Sequence, residues 1–153
     1  MERKITLRPV TDANLNGVLG IKILPEQEGY VLSPAVILSR AWANRENSAE
    51  VHVIYADEKI AGMALTYDVT DEPACHFLME FIIDEKFQRQ GVGYEAMMLI
   101  IEHIKRAPRF GMIELSVDRK NTAAIRLYEK CGFTDSGYVD PDMPHFINMI
   151  YRL

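Results

Sequence analysis

Cysteine is scarce in this chain, with two in 153 residues, and Cys75 and Cys131 stand in no metal-binding or redox spacing. Two reduced thiols, in the core or near the surface, are the expectation. Long apolar runs are missing as well. The longest, "AMMLII" from Ala96 to Ile101, is far short of the ~20 residues that a bilayer demands. The opening "MERKITLRPV" has charges but neither an apolar stretch nor a small-residue cleavage site. A secretory signal is therefore not expected, and a cytoplasmic location is. A basic excess is absent too. The formal net charge of -5 argues against nucleic acid and suits a cationic ligand, although solubility alone also accounts for it.

What the chain does have is an ordinary globular composition, 48% hydrophobic and 25% charged. Its length fits one domain spanning 1–153. "KITLRPV" alternates and reads as a first strand, with Thr11 or Asp12 as cap of a short helix over "DANLNGVLGI". "SPAVILSRAWANRE" opens with Ser33 as N-cap and Pro34 in the first turn. "AEVHVIYAD" and "KIAGMALTYDV" read as a hairpin across Asp57–Lys59, and "HFLMEFIIDE" as a further strand. Val92, Ala96, Met97, Ile100, Ile101 and Ile104 recur at helical spacing, and that helix must stop before Pro108. "MIELSVD" predicts a strand, "NTAAIRLYEKC" a helix closed by Gly132, and "FTDSGYV" and "HFINMIYRL" the last strands. The pattern is mixed α/β or α+β.

Two places carry chemistry. "QRQGVG", Gln88–Gly93, ends on a helix N-terminus, where unpaired N–H groups and a partial positive charge favour phosphate. Glycine there admits an oxygen to the main chain, although a plain tight turn has the same look. In "NTAAIRLYEKCGF", Asn121 and Tyr128 lie two helical turns apart, roughly 10 Å, on one face with Ala124 between them. An amphipathic helix in which Tyr128 merely packs is the alternative.

"Q-x-x-G-x-G" followed about thirty residues later by "N-x-x-A-x-x-L-Y-x-x-x-G-F" resembles the GNAT superfamily of acyl-CoA-dependent N-acetyltransferases. The resemblance runs from "LRPVT" to the last strand. Within the superfamily, "EFIIDEKFQRQGVGYEAM" most resembles small bacterial polyamine (spermine/spermidine) acetyltransferases. It implies a mostly antiparallel sheet of about six or seven strands, splayed between the fourth and fifth, flanked by about four helices. Acetyl-CoA as cosubstrate would lie in the splay, and no metal is implied. Backbone groups of Phe81, Ile82 and Ile83 would pair with the pantetheine arm. The amides of Gln88, Arg89, Gln90, Gly91, Val92 and Gly93, with Tyr94, would hold the pyrophosphate, and Asn121 the arm. Lys86, Arg89, Arg119 or Lys120 would meet the 3′-phosphate. At Glu80 the chain departs from the polyamine enzymes, which often carry a basic residue there.

The reaction implied is direct attack of an amine on a thioester. Tyr128 is the candidate acid for the leaving thiolate, and Glu80, in an apolar strand, the candidate base. A Glu80 that simply faces solvent remains open. Trp42, Tyr30 and the "LPEQEGYVLSP" loop, residues 24–34, are candidates for the acceptor pocket between the first two helices, with Trp42 as a core anchor the alternative. The acidic turn at Asp68, Asp71 and Glu72 is a second candidate attraction for a polyamine. The four histidines show no metal-ligand spacing. A small primary amine is the expected acceptor, a protein or peptide amine the runner-up, and a non-catalytic acyl-CoA-binding regulatory module the competing class. A homodimer through the last strands follows from the family habit alone.

Overall fold

Apolar alternation in the central strands gives the sheet two buried faces, and the helices divide between them. The computed structural model describes residues 2–153. Its strands are β1 (Ile5–Arg8), β2 (Glu50–Ala56), β3 (Lys59–Val69), β4 (Cys75–Ile83), β5 (Met112–Asp118), β6 (Thr134–Asp135) and β7 (Phe146–Arg152). They form one seven-stranded sheet in the order β1-β2-β3-β4-β5-β7-β6. Every pairing is antiparallel except that of β4 with β5. The helices are α1 (Leu15–Leu19), α2 (Pro34–Ala43), α3 (Val92–Arg106) and α4 (Thr122–Cys131).

Helices α3 and α4 cover one face, around Ile54, Leu78, Phe81, Met97, Ile101 and Phe133. Helices α1 and α2 cover the other, around Val18, Ile37, Val53, Met63, Leu65 and Ile82. In α3 the six apolar positions at helical spacing are all buried. Its last turn carries Lys105 and Arg106, cations that suit the negative end of the helix dipole. Ile101 is 1% exposed, and Ile101→Ala should cost about 2–5 kcal/mol. Helix α2 opens as its sequence suggests, with the Ser33 hydroxyl accepting the Val36 N–H at 3.4 Å and Pro34 in the first turn.

Three local expectations change. Neither Thr11 nor Asp12 caps α1: Asn14 occupies the N-cap position, and its side-chain oxygen accepts the Thr11 N–H at 2.8 Å. That bond rigidifies the turn before the helix rather than the helix itself. Helix α2 ends at Ala43, and Arg45–Asn47 makes a separate 3-10 turn before Ser48 at φ 56. The segment "FTDSGYV" yields only Thr134–Asp135 as strand, because Gly137 at φ 82 turns the chain away.

Candidate active site

Strands β4 and β5 pair at His76↔Ile113 and Phe77↔Glu114 and then separate. Beyond that point β4 stays bonded to β3 as far as Ile83, and β5 to β7 as far as Asp118. The facing edges of Leu78–Ile83 and Leu115–Asp118 are left without a ladder partner. Unpaired strand edges accept an extended ligand by main-chain hydrogen bonds. On β4 the register slips as well: Leu65 faces Glu80 while Thr66 faces Leu78, so Met79 is the extra residue of a bulge. The bulge shifts the side-chain phase. Leu78 and Phe81, three positions apart, both reach the α3 side, whereas strict alternation would put them on opposite faces.

The end of β4 leads through a 3-10 turn, Glu85–Phe87, to the start of α3. Gly91 is the N-cap of α3 at φ 82, a left-handed conformation that glycine adopts without strain. A Cβ there would meet nothing within 4 Å, so the N-terminus is open to a ligand. Gly93 serves another purpose. A Cβ on it would lie 3.3 Å from Leu127 Cδ2 and 3.6 Å from Ile83 Cγ1, so its bareness lets α3 press against α4 and β4. Arg89, exposed at φ 60, completes the turn, and Tyr94 lies under the Lys130 ammonium, 4.7 Å from the ring centre. The Gln88 side chain is committed to structure: it donates to the Ile83 carbonyl at 2.9 Å and exchanges two amide bonds with Gln27, at 2.8 and 3.0 Å. Open helix N–H groups beside a splayed strand fit a pyrophosphate with an extended arm.

Asn121 is the N-cap of α4, its side-chain oxygen accepting the Ala124 N–H at 3.4 Å. The cap engages the oxygen and leaves the NH2 group for a ligand. Two turns on, Tyr128 is 9% exposed and stacks edge-on against Phe133, with ring centres 6.0 Å apart. Burial holds its phenol well above the usual range, with the Glu80 carboxylate and the Cys131 thiol adding to the effect. A phenol so placed stays protonated and is a hydrogen-bond donor in waiting. Glu80 does not face open solvent. Its carboxylate accepts the Leu32 N–H at 3.1 Å and its neighbour Phe81's N–H at 3.4 Å. Burial pushes its pKa up to about 7, and the two N–H bonds offset part of that rise. A carboxylate poised near neutrality thus bears on a phenol that stays protonated, the two groups that acid–base work requires.

The segment between α1 and α2 is moored to this strand at three points. The Lys22 N–H donates to Asp84 at 3.1 Å, Gln27 pairs with Gln88, and the Leu32 N–H reaches Glu80. Asp84, buried, also caps the following turn through the Lys86 N–H at 2.9 Å. Between segment and strand end lies an open groove of about 420 Å³, lined among others by Ile23, Val31, Leu32 and Pro34, with Glu28, Glu85 and Lys22 as its charged residues.

The GNAT acetyltransferase family model matches residues 18–133, most of the chain and all of the site just described. The chain belongs to the GNAT acetyltransferase family. It is an acetyl-CoA-dependent N-acetyltransferase. A spermine/spermidine N(1)-acetyltransferase of Bacillus subtilis is 29% identical over 146 residues, covering 89% of this chain and 91% of the relative. A ribosomal protein bS18 alanine N-acetyltransferase of Salmonella typhimurium is 36% identical over 84 residues, 53% of this chain and 52% of that one. Among solved structures, spermidine N-acetyltransferase from Vibrio cholerae, in complex with CoA and spermine, shares the fold with a TM-score of 0.75 at 17% identity. That match covers 97% of this chain and 95% of the other.

Within this GNAT frame some expected residues gather and others do not. Glu80, Phe81, Ile82 and Ile83 lie on β4 beyond its pairing with β5, the Gln88–Gly93 turn leads from that strand into α3, and Asn121 and Tyr128 belong to α4, which follows β5. Trp42 is 69% exposed near the end of α2, its ring covered by the Arg45 guanidinium at 4.3 Å, so it is no core anchor. Neither Trp42 nor Tyr30 lines the groove. Asp68 is neutralised by two 2.7 Å bonds from Arg109 and cannot freely attract a polyamine. Arg119 donates to the Pro144 carbonyl at 3.3 Å. Burial raises the thiols of Cys75 and Cys131 to about 12 and about 11, which leaves neither as a ready nucleophile. The 24–34 loop does line the groove, as its sequence suggests, but no spacing announces the individual bonds of Gln27, Leu32 and Asp84, whose partners lie 48 to 62 positions away.

Proposed function

We propose that this GNAT enzyme acetylates a primary amine of a small polycationic molecule, of the polyamine class, with Glu80 as base and Tyr128 as acid. The observation that carries the reading is a half-buried carboxylate raised to about 7, held by the Leu32 N–H, whose charge adds to the rise of a buried, protonated phenol. Substrate ammonium groups have a pKa of about 10.4, so an amine must lose a proton before it can attack. Glu80 receives that proton, directly or through water. The amine nitrogen then bonds to the thioester carbonyl carbon, and the C–S bond breaks as the tetrahedral intermediate collapses. Tyr128 gives its proton to the departing sulfur and recovers one from the acylated nitrogen. Phe81–Ile83, Asn121 and the open amides at Gly91–Gly93, with Tyr94, hold acetyl-CoA so that the carbonyl lies between acid and base.

The acceptor assignment draws on the similarity to the Bacillus subtilis enzyme over nearly the full chain and on the groove's two carboxylates, Glu28 and Glu85, against one ammonium, Lys22. The similarity to an alanine N-acetyltransferase favours a second reading, a peptide N-terminal amine. The deciding experiment measures CoA release with spermine, spermidine, simple diamines and alanine-starting peptides. Turnover confined to the peptides would replace the first reading with the second. A cytoplasmic homodimer belongs to the same proposal, with Tyr138, Val139 and Met143, exposed beside β6 and β7, as apolar surface for a second copy. Sedimentation at assay concentration tests it.

A further inference from the structure

The four histidines have no metal-ligand spacing along the chain, yet the fold collects two of them with a carboxylate. Glu50 and His52 alternate onto the face of β2 that α3 covers, the same face as Ile54 in the core. His103, on α3, lies over them. A ring nitrogen of each histidine and an oxygen of Glu50 all fall within 4.8 Å of one another. The His103 Nε2 is 2.9 Å from Glu50 Oε1, and the two imidazoles meet edge-on with centres 5.6 Å apart. His52, 4% exposed, bonds through Nε2 to the Thr66 hydroxyl at 2.9 Å, which fixes its ring.

We propose that Glu50, His52 and His103 form a binding site for a divalent transition metal ion of the zinc class. Two imidazoles and one carboxylate are a recognised donor set for such an ion, with positions left over for water. Small movements of two exposed side chains, Glu50 and His103, bring the donors to bonding distance. Glu50, Thr66 and His103 line a cleft of about 90 Å³ that gives access and room for the remaining ligands. The neighbouring pair His76 and Asp68 is different. His76 Nε2 accepts the N–H groups of Arg109 and Phe110 at 3.1 and 3.3 Å, and Asp68 is held by Arg109. Those groups are spent.

An ion here would cross-link β2 to α3 about 16 Å along the helix from the N-terminus facing the acetyl-CoA gap. It would act as a clasp and not in the chemistry. The test uses the full chain without a polyhistidine tag, stripped by chelator and titrated with Zn2+ by calorimetry and with Co2+ by visible absorption. One ion should bind per chain with a Kd tighter than about 10 µM. Glu50→Gln and His103→Gln should each weaken binding at least ~10-fold and abolish the Zn2+-induced rise in Tm. Both side chains are about half exposed, at 50% and 47%, so these variants should fold. His145→Gln, at an exposed histidine outside the cluster, should bind as the parent does. Absence of one-to-one binding in that range, or affinity that survives both substitutions, would overturn the site.

Discussion

The Glu80 carboxylate accepts the Leu32 backbone N–H at 3.1 Å, so the proposed base and the acceptor-side segment share one hydrogen bond. Charge on Glu80 therefore bears on two things at once, proton transfer and the position of the segment. With a pKa of about 7, the carboxylate is half protonated at neutral pH. The parent's kcat/KM should rise with pH through about 7. Glu80→Gln keeps an oxygen for the Leu32 N–H but cannot take a proton. Turnover should fall about 100- to 10,000-fold, with acetyl-CoA affinity nearly unchanged. A pH–rate profile that keeps its limb near 7 in the variant would assign that limb to another group.

Stability follows from the same shift. The folded-state pKa lies above the ordinary value of 4.5, so between these values the folded chain binds more protons than the unfolded one. Stability contributed by this group is full below 4.5 and is lost as pH rises through about 7. The slope is at most about 1.4 kcal/mol per pH unit. Glu80→Gln has no such loss, so its stability relative to the parent should improve as pH rises across that window. Denaturant titrations of both proteins at several pH values measure the difference.

Gln27 and Gln88 exchange two amide hydrogen bonds, and they pin the middle of the acceptor-side segment to the turn before α3. Gln27→Ala removes both, together with the bond its oxygen accepts from the Leu24 N–H at 3.3 Å, while Gln88 keeps its bond to the Ile83 carbonyl. The expected cost is about 1 kcal/mol of stability, and the segment should loosen. The acceptor KM should rise several-fold while acetyl-CoA binding holds. An unchanged acceptor KM would place the acceptor outside this segment.

Gly91 separates conformation from charge. At φ 82 an alanine is strained by about 1 kcal/mol, but its Cβ meets open space. Aspartate tolerates that region better and suits a helix N-terminus, so Gly91→Asp should fold. Its carboxylate would nonetheless oppose the pyrophosphate. Acetyl-CoA should stabilise the parent and Gly91→Ala, by about 2.7 kcal/mol at 100 times Kd, and should barely shift Gly91→Asp. Equal thermal shifts in all three would remove the phosphate from this turn.

Much of this architecture is legible because it rests on local periodicity. The helical spacing from Val92 to Ile104, the Ser33–Pro34 opening and the Gly132 stop each act within a few residues. Tyr128 is legible for the same reason, since its place two turns from Asn121 is fixed by the helix itself. The bulge at Met79 is not, because it depends on which β3 residue each β4 residue meets. The moorings Lys22–Asp84, Gln27–Gln88 and Leu32–Glu80 are pairings across the sheet edge, and no spacing announces them. Trp42 misleads for an energetic reason. A large aromatic is usually buried, but here the Arg45 guanidinium covers its face at the surface.

Tyr128 carries the sharpest prediction. Tyr128→Phe keeps the ring that packs against Phe133 and removes one hydroxyl, so folding should hardly change. Its phenol, held protonated by burial, is a weak acid in the free enzyme. Donation to a developing thiolate therefore gains value only as the C–S bond breaks. The loss should appear in kcat and kcat/KM together, because the interaction matures in the transition state. A fall of roughly 100-fold, about 2.7 kcal/mol, is expected. Acetyl-CoA affinity should stay within a few-fold of the parent. Acyl donors with a better leaving thiol should narrow the gap between variant and parent, since a stable thiolate needs less help. A folded Tyr128→Phe enzyme with parental kcat would reduce Tyr128 to a packing residue and leave thiolate protonation to water.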